Sequence, residues 1–205
     1  MRKILLIFSL VFSVHLYAQN TIKDIEGNIY KTLKIDTIEW MIENLKTTRF
    51  NNGDKILLKD SSKLDINKNR WEVDSHQLYS WYVLKDERGV CPTGWRIPSD
   101  SDFKHTIDFI FNDSNSKLPE GKNTNFIYRE NIDLNTSLFT TGLDFSGSKT
   151  SKGLLLFKNY YEYFWTISED YTGFAWMWYF SKDAISHYNF EQKGGLSVRC
   201  VKHLK

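Results

Sequence analysis

The chain has 205 residues, 16% of them aromatic, with 27 Lys and Arg against 25 Asp and Glu and a formal net charge of +2. That balance excludes a strongly basic, nucleic-acid-binding face, and the length suits one domain with a sizeable core. Only two cysteines occur, with no CxxC, no His/Cys cluster and no repeat at solenoid period, so neither a zinc module nor a repeat array is expected.

The first residues read as an export signal. Arg2 and Lys3 precede a mostly apolar run, Ile4 to Leu16, and Ala18 stands before a plausible cut ahead of Gln19. The run is too short to span a bilayer, which takes roughly 20 residues. No second long apolar segment follows, so no transmembrane segment is expected. Residues 1–18 are therefore assigned to a signal peptide and 19–205 to one exported domain. Loss of Arg2 and Lys3 leaves 25 basic against 25 acidic residues, a near-neutral chain.

Glu26-Gly27-Asn28 supplies a tight reversal. Ile29, Lys31, Leu33 and Ile35 then alternate with Tyr30, Thr32 and Lys34, a strand period. Asp36-Thr37 turns the chain into a second strand, Ile38 to Ile42, and Asn51-Asn52-Gly53-Asp54 is another turn. Asp60 to Asp74 is polar and charged and reads as an exposed loop or insertion. Leu78, Trp81 and Tyr82 fall at helical spacing, so a short helix is expected within His76 to Leu84.

After Pro98 the local signals are stronger. Ser99 is a natural N-cap, Asp100 and Asp102 occupy the first turn, and Phe103, Ile107 and Ile110 form one apolar stripe ending near Asn112. His105 falls on the polar face. Ser114 to Thr136 reads as a long loop, Leu138 to Gly142 as a short strand, and Asp144 to Ser151 as a turn. Phe174, Trp176, Trp178 and Phe180 alternate with Ala175, Met177 and Tyr179. Lys182-Asp183 is a turn and Ile185 to Phe190 a return strand. Leu196 to Val201 reads as a last strand with Cys200 pointing inward and Arg199 outward toward an acid near the N-terminal strands. The sum is an α+β chain of short antiparallel strands, a couple of helices and long loops. In an exported chain, Cys91 and Cys200 are expected to pair in a structural disulfide.

Several segments, taken in order, carry a resemblance. They are Asp24-Ile25-Glu26-Gly27-Asn28-Ile29-Tyr30, Glu39-Trp40-Met41-Ile42-Glu43-Asn44-Leu45 and Leu78-Tyr79-Ser80-Trp81-Tyr82. Cys91-Pro92-Thr93-Gly94-Trp95-Arg96-Ile97-Pro98-Ser99-Asp100 and Leu196-Ser197-Val198-Arg199-Cys200-Val201 complete them. Together they resemble the Fibrobacter succinogenes major paralogous domain family over nearly all of residues 19–205. The resemblance implies a C-type lectin-like fold, similar to that of formylglycine-generating enzymes, in surface or secreted bacterial proteins without an established enzymatic activity. The chain departs from the family's glycine-rich stretch, for which Phe139-Thr140-Thr141-Gly142 and Phe145-Ser146-Gly147 are loose counterparts.

Candidate chemistry is sparse. The acidic triplets of calcium-dependent sugar binders are absent, and Asp24, Glu26 and Asn28 read as a hairpin turn with solvated acids rather than a calcium loop, which would need 6–8 oxygens. No catalytic constellation, metal site or cofactor motif emerges, and His76, His105, His187 and His203 are scattered. The aromatic content is the remaining signal. Tyr160, Tyr161, Tyr163, Phe164 and Trp165 lie in one stretch, and Trp176, Trp178 and Tyr179 in another. Such rings either fill a core or stack on a ligand. Tyr160, Tyr161, Tyr179, Trp176 and Trp178 are the candidate ligand-binding residues, with Trp176 and Trp178 also fitting a core. The expectation is a secreted or cell-surface binding or adhesion module for a polysaccharide or surface protein. An extracellular polysaccharide-modifying enzyme and a purely structural surface protein are the alternatives.

Overall fold

A computed structural model of the chain describes residues 20–59, 68–112, 126–128, 142–181 and 184–204. The signal peptide expected over 1–18 lies outside them. So do the Lys182-Asp183 turn, the strand expected over 138–142 except Gly142, and the loop expected over 114–136 except 126–128.

The first sheet forms where the sequence alternates. β1 (Thr21–Lys23) reverses at Gly27, whose φ of +82° a side chain would resist, into β2 (Ile29–Ile35). Asp36-Thr37 turns β2 into β3 (Ile38–Met41). The expected turn acids are satisfied locally. The Asp24 carboxylate accepts from the backbone N–H of Glu26 and Asn28, from Asn28 Nδ2 and from the Tyr30 hydroxyl. Glu26 accepts from Thr47 and Thr48.

The second sheet holds β4 (Leu57–Leu58), β5 (Asn69–Val73) and β6 (His76–Tyr79), with β4 parallel to β5 and β6 antiparallel to it. This corrects two expectations. The polar run 60–74 contains a strand, because Trp71 and Val73 alternate inward against Leu78 while Arg70 and Glu72 face the other way. Residues 76–79 are strand, and the helix α1 (Trp81–Leu84) is only one turn long. Leu78 and Trp81, expected to share a helix, belong to different elements.

α2 (Asp100–Asn112) forms as its cap and stripe dictate. Ser99 Oγ accepts from the Asp102 N–H at 3.2 Å, and the Asp102 carboxylate accepts in return from the Ser99 N–H at 2.6 Å, a reciprocal cap. Phe103 and Ile107 are sealed, while the exposed His105 lies 2.8 Å from Asp36.

β7 (Phe126–Tyr128) corrects part of the long loop, and β8 (Ser148–Lys149) pairs with β9 (Leu155–Leu156) within the glycine- and serine-rich turn region and just after it. β10 (Glu162–Tyr171), β11 (Phe174–Phe180) and β12 (Ala184–Glu191) form an antiparallel meander, with β7 on the β12 edge. β13 (Val201–His203) returns to β3 and completes the first sheet.

Two cores result. In one, α2 lies between the first sheet and the meander, with Trp40, Phe103, Phe164, Trp178, Phe180 and Val201 in contact. The other lies on the opposite face of the meander and gathers Tyr79, Trp81, Trp165, Met177, Leu196, Val198 and the cysteines. The Cys91–Cys200 disulfide sits in it, with Cα atoms 5.9 Å apart and 109 residues between the partners in sequence.

The C-terminal expectation needs correction as well. Leu196 to Cys200 is not a ladder strand but an extended segment threaded between the cores, touching Tyr79 and Phe164 by isolated bridges. Both of its faces are therefore sealed: Cys200 points inward as expected, but Arg199 is only 1% exposed. Arg199 donates to Asn44 Oδ1 at 3.0 Å and to the Gly142 carbonyl at 2.6 Å, and its guanidinium lies over Phe164.

Candidate functional site

The meander fixes where each aromatic can point. Side chains alternate along a strand, so neighbours in sequence leave by opposite faces. Phe164, Trp178 and Phe180 turn toward α2. Tyr163, Trp165, Met177 and Tyr179 turn the other way, as do Tyr188 and Phe190 from β12. Trp165 is fully buried on that second face. Beyond it the face opens, and a cluster of tyrosines stands where the packing thins.

Tyr161, Tyr163, Tyr179 and Tyr188 compose this cluster. Tyr161 meets Tyr163 at 5.8 Å between ring centroids and Tyr179 at 5.4 Å, the latter at 85° between planes. Tyr163 lies directly across from Tyr179, at 6.0 Å. Tyr188 runs parallel to Tyr179, also at 6.0 Å. Phe157, more than half exposed, stands edge-on to Tyr161 at 5.5 Å. These are the offset and edge-to-face arrangements that aromatic rings prefer.

The cluster is held from behind by buried polar groups. Glu162, between Tyr161 and Tyr163, points inward and is fully buried. Its carboxylate accepts from the Ser146 N–H and hydroxyl and from Asn44 Nδ2, each at 3.0 Å. Asn44 in turn accepts from Arg199, and Ser197 Oγ lies 3.0 Å from Ser146 Oγ. Burial lowers the Arg199 guanidinium to about 10, opposed by Glu162, so it stays charged at neutral pH. The charged ends are thus bridged by an amide, and each finds partners in a place where an unpaired ion would be costly.

Gly147 completes the support. A Cβ there would lie 2.4 Å from the Leu156 carbonyl oxygen, and its φ is +73°. Only glycine lets the 145–147 segment press against the Phe157–Tyr160 turn, which delivers Phe157 and Tyr161 to the face. That turn is itself tight, with φ of +53° at Phe157 and +69° at Asn159.

The structure brings together two of the five sequence-derived candidates, Tyr161 and Tyr179. Tyr160 is 71% exposed on the turn and has no ring contact among the described residues. Trp176 and Trp178 lie on the opposite face. Trp178 is 1% exposed, stacks on Phe103 at 5.7 Å and donates to Asp100 Oδ1 at 2.9 Å, so it is a core residue and offers no surface to a ligand. Trp176 is half-buried and stacks on His187, which is stacked on Trp178 in turn. Tyr163, Tyr188 and Phe157 were missed as candidates. Cross-strand pairing could have found Tyr163 from Tyr179, but no local signal marks Tyr188 or Phe157.

A concavity lies elsewhere on the chain. An open cleft of about 330 Å³ beside the disulfide is lined mainly by Leu84, Val90, Trp95, Ile97 and Ile167, with Asn51 and Arg96 as its polar members. Both are engaged: Arg96 gives its two Nη atoms to Asp102, and Asn51 Nδ2 bonds the Cys91 carbonyl. Burial would raise the Asp102 carboxyl, but Arg96 and Ser99 hold it down to about 2. The cleft shares no lining residue with the tyrosine cluster. No group of three or more potential metal ligands occurs among the described residues, and no described helix is long and apolar enough to cross a membrane.

The Fibrobacter succinogenes major domain model matches residues 33–202. No curated protein and no solved structure matches the chain.

Proposed function

The chain belongs to the Fibrobacter succinogenes major domain family, and we propose that this member is an exported binding module on a C-type lectin-like scaffold, whose polysaccharide or surface-protein ligand docks on the tyrosine face. One observation carries the reading. Four tyrosines and Phe157 are gathered on the open end of a sheet face whose other end is fully packed. Rings retained at low side-chain entropy, partly exposed at Tyr161, Tyr179 and Tyr188, more than half exposed at Phe157 and anchored by the buried Tyr163, are what recognition surfaces use. The basic and apolar N-terminal run supports export, as does a disulfide in a chain of this kind.

Retention of the exported protein on immobilised polysaccharides and on surface-protein fractions tests the proposal. Saturable retention that weakens in Tyr161→Ala is the expected result. Retention on nothing would favour a structural surface component, and turnover of a glycan would favour an enzyme. The intact mass of the exported protein should begin near Gln19; a retained Met1 would contradict the export reading.

A further inference from the structure

Beyond the tyrosine face, we infer that the cleft beside the disulfide is a separate binding site for one uncharged phenol ring, supplied as a free small molecule or as a tyrosine side chain of a partner. Its walls, its polar atoms and its charge each narrow the ligand to that chemistry.

The walls come first. Leu84, Val90, Cys91 and Ile97 belong to the core around the disulfide, and Trp95 and Ile167 pack against that core half-buried. The cleft is therefore a notch where core residues meet solvent, and Cys91 is fixed there by its bond to Cys200. Its volume of about 330 Å³ is near the lower end of the roughly 300–1,000 Å³ usual for small-molecule sites. That is room for one ring system, with apolar walls and an indole to pack against it.

The polar atoms come second. Four tryptophans, Trp40, Trp81, Trp165 and Trp178, donate their indole N–H within the protein. Trp95 has no such bond and no ring contact among the described residues, so its Nε1 is a free donor. Asn51 supplies the complement. Its Nδ2 donates to the Cys91 carbonyl at 2.9 Å, and its backbone N–H donates to the Gly89 carbonyl at 2.9 Å. Gly89 has φ +67°, and a Cβ there would come 2.9 Å from Asn51 Nδ2, so glycine keeps that amide in place. The Asn51 Oδ1 has no partner among the described residues and is a free acceptor. A hydroxyl both donates and accepts, and one of them matches this pair. A sugar ring would bring several hydroxyls and strand most of them against apolar walls.

Charge comes third. Arg96 is the only charged side chain lining the cleft, and the Asp102 carboxylate holds its Nη atoms at 2.8 and 2.9 Å. A ligand anion would have to compete with that bidentate pair, and a ligand cation would find no acid in the lining.

The test titrates the purified full chain with p-cresol, followed by the indole N–H signals of its seven tryptophans in two-dimensional NMR. Loss of one signal in Trp95→Phe identifies Trp95. The expected result is a saturable shift of the Trp95 signal, the largest of the seven. Toluene, which lacks the hydroxyl, should bind about fivefold more weakly, one hydrogen bond's worth, and so should p-cresol to Trp95→Phe. Methyl glucoside and p-toluate should not bind. Matching thermal unfolding of wild type and Trp95→Phe would show that the loss is not a folding defect. N-acetyltyrosinamide against N-acetylphenylalaninamide separates the two sources: preference for the tyrosine compound over p-cresol points to a partner's side chain, the reverse to a free phenol. Tyr161→Ala should leave all of this unchanged, which keeps the outcome independent of the tyrosine face. An unmoved Trp95 signal, toluene binding as tightly as p-cresol, preference for p-toluate or the glucoside, or loss of binding in Tyr161→Ala would each overturn the inference.

Discussion

Breaking the Cys91–Cys200 disulfide should cost more than any other change that leaves the surface untouched. The bond closes a sequence separation of 109 residues. In the chain-entropy treatment such a loop restricts the unfolded ensemble by about 5 kcal/mol, before native-state adjustment. Both sulfurs lie in a packed core, with Cys200 fully buried and Cys91 6% exposed, so serine would also seal a hydroxyl among apolar neighbours. For a domain of this size about 5 kcal/mol corresponds to roughly 10–20 °C in Tm. The assay is urea and thermal unfolding of purified wild type, Cys91→Ser, Cys200→Ser and the double variant. Each single variant should lose nearly the whole amount, the double should lose little more, and the urea slope should steepen as the unfolded chain expands. Losses that add, at an unchanged slope, would refute the reasoning.

Other expectations follow from the same geometry. Asp100 and Asp102 are the acid-sensitive groups: burial raises both, but His187 and Lys104 on Asp100, and Arg96 and Ser99 on Asp102, bring each from 3.8 to about 2. Each contributes about 2 kcal/mol that is fully present above the unfolded value and lost as pH falls through about 2. Urea midpoints should therefore drop between pH 5 and pH 2, and Asp102→Asn should drop less; an equal drop would contradict the assignment. Trp178→Ala should cost about 3–5 kcal/mol, whereas Tyr160→Ala should stay within about 0.5 kcal/mol, despite similar prominence in the sequence. Equal effects on unfolding would show that the face assignment of β11 is wrong. Gly147→Ala should cost about 1–3 kcal/mol and weaken ligand retention together, because the turn carrying Tyr161 must move; a stable variant with full retention would remove Gly147 from the site's support.

Much of the fold could be read from alternation and caps. β2, β3, β11, β12 and α2 are elements in which local pattern and tertiary environment agree, and there the sequence reading and the structure coincide. The misses have a common cause. At Asn69–Val73 the polar average of the run hides a two-residue apolar face, Trp71 and Val73, that matters only once Leu78 is opposite. At Leu196–Cys200 alternation implies an inner and an outer face, but a segment threaded between two cores has no outside, and Arg199 is sealed with its partners. The site was half legible. Tyr161 and Tyr179 could be picked out as aromatics, while their union with Tyr163 and Tyr188 depends on strand register, and the brace from Glu162 through Asn44 to Arg199 spans separations above 100 residues. No local signal carries such a contact.

The most direct measurement is tyrosine nitration of the purified protein, free and bound to whichever immobilised glycan or surface fraction retains it, read residue by residue by mass spectrometry. Binding on the tyrosine face predicts that Tyr161 and Tyr163 lose reactivity in the bound protein while exposed Tyr160 keeps a larger share of its own. Unchanged reactivity of Tyr161 and Tyr163 in retained protein would place the ligand elsewhere and contradict the account.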